Sequence, residues 1–125
     1  MEDRRRSPRI VTSLPLKLTD NEYDILTETK NISASGVYCS VDKPIEPMTK
    51  LNIIILVPQK KANKKSVKKI NCMGVVVRKE YVKTNGHHAY HIGIFFNDMD
   101  ERDRKILISY LHLENNSHAN LKNNA

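Results

Sequence analysis

Only two cysteines and four glycines occur in these 125 residues. The cysteines, Cys39 and Cys72, are too few for a disulfide framework. Each lies inside an apolar stretch, and two buried free thiols are expected. So few glycines leave little material for a phosphate-cradling loop, and no nucleophile–base set stands out, so the chain is not read as an enzyme. No apolar run approaches the roughly 18 residues of a membrane span. The polar, arginine-rich start has no apolar core of a signal peptide. These absences describe a cytoplasmic protein without membrane insertion, folded as one domain around one modest core. His87 and His91 share a strand face but stand about 13 Å apart at strand rise, too far to hold one ion, so no metal or cofactor is expected.

Acidic residues are also in deficit, with a formal charge of +7. The excess is local. Lys60, Lys61, Lys64, Lys65, Lys68 and Lys69 carry six of those charges, and Arg4, Arg5, Arg6 and Arg9 carry four more; without them the remainder is mildly acidic. Two anion-attracting features therefore sit on an otherwise ordinary surface.

The chain after the first nine residues reads as short strands punctuated by turns. Leu14, Leu16 and Leu18 alternate with Pro15 and Lys17, the period of a half-buried strand. Tyr23–Thr29, Gly36–Val41, Leu51–Val57, Ile70–Val82 and His88–Phe96 supply five more. Pro58 is expected to end the fourth, Gly74 to mark a bulge, and Asn85-Gly86 to turn a hairpin. Six strands at this spacing predict a mainly β barrel or sandwich. After Asn97, an acidic start and the apolar set Ile106, Leu107, Tyr110, Leu111 and Leu113 predict a helix. The organisation expected is an arginine-rich arm over 1–9, a β domain over 10–97, a helix over 98–113 and a disordered tail over 114–125. The lysine-rich segment 59–69 reads as a flexible, solvated loop between strands.

Arg5 and Arg9, four residues apart, and the segment Asn31-Ile32-Ser33-Ala34-Ser35-Gly36 read together as a split site for a guanine-bearing, doubly charged phosphate. The guanidinium fork can meet guanine O6 and N7, stack on the base and pair with phosphate. Asn31 and Ser33 add donors and acceptors at the opposite edge, and Gly36 permits close approach of chain or ligand.

These two motifs, with GVVVR (Gly74–Arg78), HIGIFF (His91–Phe96) and a terminal helix, resemble the PilZ domain, a bacterial receptor module for cyclic di-GMP. The resemblance spans residues 4 to about 113. It implies a six-stranded antiparallel β-barrel with a C-terminal α-helix. It further implies that Arg5 and Arg9 bind guanine and phosphate, that Asn31 and Ser33 read the second base edge, and that Gly36 shapes the turn. An arginine before the first motif, here Arg4, goes with an intercalated pair of ligand molecules in place of a single one. Arg78 falls near where many members place a stacking aromatic, and its guanidinium could stack instead. The absence of tryptophan and the lysine-rich insertion depart from the family. The implied role is a ligand-gated adaptor, with a protein partner in motility, biofilm or exopolysaccharide control. The alternative is a small β-barrel that binds nucleic acid through its lysines.

Overall fold

The computed structural model describes the backbone of residues 8–21, 23–84 and 87–123, with side chains except at 61, 84, 87, 88 and 117–123. Its elements are β1 (Pro15–Asp20), β2 (Tyr23–Ile32), β3 (Gly36–Val41), β4 (Lys50–Lys61), β5 (Lys64–Thr84), β6 (His87–Met99) and α1 (Glu101–Asn123). All neighbouring strands are antiparallel, and the order β1–β2–β3–β6–β5–β4 closes into a barrel when β4 returns to β1. Closure leaves no long sheet edge around the ring.

Alternation explains the ring. Leu16 and Leu18 of β1, Ile53 and Ile55 of β4, and Ile92 and Ile94 of β6 all face inward and are buried. Cys39 and Cys72 lie among them as free thiols. Burial pushes the pKa of each up to about 12, with Asp103 adding to the rise at Cys72. Both therefore remain neutral thiols near pH 7.

The β5–β6 pairing is irregular at two places. The register shifts at Met73/Gly74, where Gly74 keeps Phe96 as its partner and the extra residue is Asn97 of β6 in place of the bulge expected at the glycine, and again between Val76 and Arg78. At the second shift Val76 pairs with Ile94 and Arg78 with Gly93, so Val77 has no partner. A bulged residue re-aims the side chains after it. Here Val77 and Arg78 both face outward.

The lysine-rich segment is not a loop. β4 continues through Pro58 to Lys61, and β5 starts at Lys64, with pairs running unbroken from Leu56↔Lys69 to Lys61↔Lys64. Pro58 is tolerated because β1 pairs with β4 only from Asn52 to Ile55, so one edge is open there and a missing donor costs no ladder bond. Ala62 and Asn63 make the turn, both with positive φ (52° and 66°), the signature of a two-residue type I′ hairpin. Asparagine tolerates that region, whereas alanine gives no hint of it in sequence. The Asn85-Gly86 turn lies outside the described residues; the flanking pair Thr84↔His87 is in register for it.

Helix boundaries also differ from expectation. β6 runs on through Asp98 and Met99, which pair with Met73 and Cys72. The Asp100 carbonyl then accepts from Arg104 N–H at 2.9 Å, with Glu101 and Asp103 in the first turn. The helix does not stop at Leu113 but reaches Asn123, which replaces the disordered tail expected over most of 114–125. No glycine or proline follows Leu113 to end it. Leu107, Tyr110 and Leu111 bury its inner face.

Candidate functional site

Ile10 and Ile32 form an isolated antiparallel bridge, with Ile10 N–H donating to Ile32 C=O at 2.8 Å and the reverse bond at 3.0 Å. Both side chains enter the core. Arg9 and Asn31, next to the bridged residues, lie on the opposite, outer face; the antiparallel register sets Arg9 across from Ser33 and Asn31 across from Val11, which joins the end of the arginine motif to the asparagine motif. Thr29 extends the link, since its hydroxyl accepts from Leu14 N–H at 2.9 Å and donates to the Thr12 carbonyl.

Beyond Ile32 the chain turns tightly back into β3. Ser33 N–H donates to Gly36 C=O at 2.9 Å, and the Ser33 hydroxyl accepts from Ser35 N–H at 3.2 Å. Buried Ser33 thus shapes the turn as well as lining the surface above it. Gly36 is required by close approach: a Cβ there would lie 2.3 Å from the Ile94 carbonyl oxygen, a backbone atom that cannot move aside alone. Ser35 C=O accepts from Phe96 N–H at 2.9 Å and anchors the turn to β6.

These elements surround a cleft of about 170 Å³, lined by Arg9, Asn31, Ser33, Gly36 and Arg78 together with Tyr38, Val77, Gly93 and Phe95. Clefts that enclose drug-sized ligands hold roughly 300–1,000 Å³. This one suits a single planar group, with the rest of a larger ligand left on the rim. Five residues singled out in the sequence therefore meet at one place. Arg4 and Arg5 lie outside the described residues.

Of the far wall, only Arg78 was singled out in the sequence. Gly93 pairs with Tyr38 of β3 on one side and Arg78 of β5 on the other. Having no side chain, it leaves a floor between them. Tyr38 donates to Glu80 Oε1 at 2.7 Å, and Arg78 Nη2 donates to Glu80 Oε2 at 3.1 Å. The Arg78 guanidinium stands 6.0 Å from the Tyr38 ring centroid, at the outer limit of a cation–π contact. His91 meets the same ring edge-on at 5.5 Å. Burial, then the bond to Glu80, raise the Tyr38 pKa, while Arg78 and Arg9 oppose the rise. The Tyr38 bond, helped by Arg78, lowers that of Glu80. Tyr38 could have been suspected, because it follows Gly36 by two and shares its strand face. Glu80 and Gly93 gave no signal. Among the described residues no group of His, Cys, Asp or Glu side chains could hold a metal ion, and no helix is long and apolar enough to cross a membrane.

A family model for the PilZ domain matches residues 3–113. The chain belongs to the PilZ domain family. No curated protein sequence matches it significantly. Among solved structures, the motility inhibitor MotI (DgrA) of Bacillus subtilis superposes with a TM-score of 0.80 at 19% identity, over 93% of this chain and 53% of that one. The PilZ domain of YcgR from Escherichia coli, solved with c-di-GMP, gives 0.65 at 13% identity over 96% and 98%. MrkH of K. pneumonia in complex with c-di-GMP gives 0.66 at 17% identity over 97% and 56%. This PilZ chain thus spans about half the length of MotI and MrkH, and at these identities the likeness is one of fold.

Proposed function

We propose that this PilZ domain is a receptor for cyclic di-GMP. The observation that carries the reading is the Ile10–Ile32 bridge, which sets Arg9 across from Ser33, so that Arg9, Asn31 and Ser33 line one cleft with Arg78 and Tyr38. A guanine base would enter that cleft. Arg9 has a planar fork for its O6/N7 edge or for a phosphate, Asn31 an amide for the opposite edge, and Arg78 a guanidinium to stack on its face. Ser33 and Gly36 hold the turn that presents Asn31. The second guanine and the phosphates would lie outside the small cleft, where Arg4 and Arg5 of the arm would cover them. The YcgR and MrkH structures solved with c-di-GMP support the choice of ligand.

Output would follow from the arm. Like charges clustered on Arg4, Arg5, Arg6 and Arg9 repel one another, and a ligand with two phosphates neutralises them. Ordering each arm residue costs about 1–2 kcal/mol of backbone entropy, so affinity reports only the surplus over that cost. An arm pinned over the barrel presents a new surface to a protein partner, in control of motility, surface attachment or exopolysaccharide. The domain performs no chemistry of its own.

Isothermal titration of cyclic di-GMP tests the reading. Saturable binding is expected, and Arg9→Ala should weaken it by about 1.5–3 kcal/mol, the range of charge-assisted hydrogen bonds. An intercalated ligand pair that becomes a single ligand in Arg4→Ala would assign Arg4 to the second molecule. Absence of heat with the wild-type chain at high micromolar ligand overturns the proposal.

A further inference from the structure

From Leu56 to Asn71 the β4–β5 hairpin has no third strand beside it: β1 leaves β4 after Ile55, and β6 joins β5 only from Cys72. Its base, with Val57 and Ile70, is buried in the core, and from Pro58 to Lys69 it is a free two-stranded ribbon. The register assigns its lysines to both faces. Lys60, Lys65 and Lys69 lie on the face shared with Leu56, and Lys64 and Lys68 on the face shared with Val57. All five are exposed, and among the described residues none pairs with a carboxylate. No Asp or Glu occurs between Glu46 and Glu80. Lys60 and Lys65 stand directly opposite each other, a like-charge pairing that costs the hairpin stability.

We infer that this ribbon is a docking element for duplex DNA, read through its phosphates. Charge of one sign on both faces is the deciding feature. A flat anionic surface, such as a membrane or the side of an acidic protein, can meet one face only and would leave the other set of lysines pointing away. The turn, Ala62-Asn63, also lacks an aromatic or long apolar anchor for a lipid interface. A duplex groove presents two phosphate rows. One sheet with its side chains is about 10 Å thick, and two strands sit about 4.8 Å apart. A ribbon set on edge therefore fits a major groove about 12 Å wide and about 8.5 Å deep, with one face toward each phosphate row. Phosphates would also relieve the Lys60–Lys65 repulsion. Recognition of this kind is largely independent of base sequence. It uses none of the residues of the cleft and does not depend on what the cleft binds.

The test is fluorescence anisotropy of the full chain with a labelled random-sequence DNA duplex, across a salt series. Binding is expected with a log–log salt slope of about −4, near −0.9 for each engaged phosphate, so affinity falls several-hundred-fold between about 50 and 200 mM salt. Neutralising one face (Lys60→Gln, Lys65→Gln, Lys69→Gln) or the other (Lys64→Gln, Lys68→Gln) should each cut affinity and flatten the slope, and all five together should abolish binding. Thermal melting of each variant should equal or exceed the wild type, which separates lost contact from lost fold. The proposal is overturned by no duplex binding at about 50 mM salt, where such contacts are strongest. Binding that survives all five substitutions also overturns it, as does dependence on one face alone. Tighter capture by phosphatidylserine vesicles or by single-stranded DNA at equal phosphate would be equally decisive against it.

Discussion

Glu80 has both carboxylate oxygens engaged, one by the Tyr38 hydroxyl and one by Arg78. It thereby holds the two side chains that wall the cleft. Its pKa is lowered, by the Tyr38 bond first. A carboxyl depressed on folding contributes at pH values above its unfolded pKa of about 4.3, and that contribution is lost as pH falls through the lower folded value. Tyr38 ring resonances followed by NMR should therefore stay constant from neutral pH to below the usual carboxylate range, then shift as the carboxyl protonates. Glu80→Gln should lack that step. The same titration in both proteins would show that another group holds the ring. At this scale Arg9, Asn31, Ser33 and Gly36 were legible because each motif is contiguous in the chain. Glu80 and Gly93 were not, because they join the site only through cross-strand neighbours.

Helix α1 bonds to two segments adjoining the cleft. Arg104 Nη1 donates to the Ala34 carbonyl at 3.0 Å, inside the turn between Asn31 and Gly36. Further along the helix, the Tyr110 hydroxyl lies 3.0 Å from Thr12 Oγ1, just after the Arg9 arm. Arg104 is a positioning residue for the turn and is not itself in the cleft lining. Arg104→Ala should weaken cyclic di-GMP binding by about 0.5–1.5 kcal/mol, one hydrogen bond's net worth, or roughly two- to tenfold. Arg104→Lys, which keeps a donor, should recover part of it. Unchanged affinity in Arg104→Ala would mean that the serine hydrogen bonds hold the turn without the helix. The helix's apolar face was readable from spacing alone, but its end was not: ten further residues without a breaker look like a tail by composition. The lysine segment departs from its sequence pattern for a related reason. Repelling charges argue for a loop, yet the two-residue turn and unbroken ladder outweigh repulsion that solvent screens.

Across the whole molecule, the barrel closes because β1 pairs with both β2 and β4. A ligand that bridges arm, turn and β5 binds the folded chain alone and stabilises it by mass action. Cyclic di-GMP at about 100 times its dissociation constant should add about 2.7 kcal/mol. That is a rise of roughly 5–15 °C in Tm for a small domain, read by differential scanning fluorimetry. Identical melting curves with and without saturating ligand would count against a bridging site, and Arg9→Ala should lose most of the shift.

Strand number, the inward face of each strand, the helix and the arginine and asparagine motifs were all present in the linear pattern, because alternation and motif spacing are properties of neighbouring residues. Long-range pairing was needed for the rest. The Ile10–Ile32 bridge sets the motifs side by side, and the slip at Val77 turns Arg78 toward Tyr38. Continued pairing beyond the ring makes a ribbon of the lysines. Each depends on register between distant strands, where a shift of one residue reverses every side chain's face, and no local window of sequence carries that information.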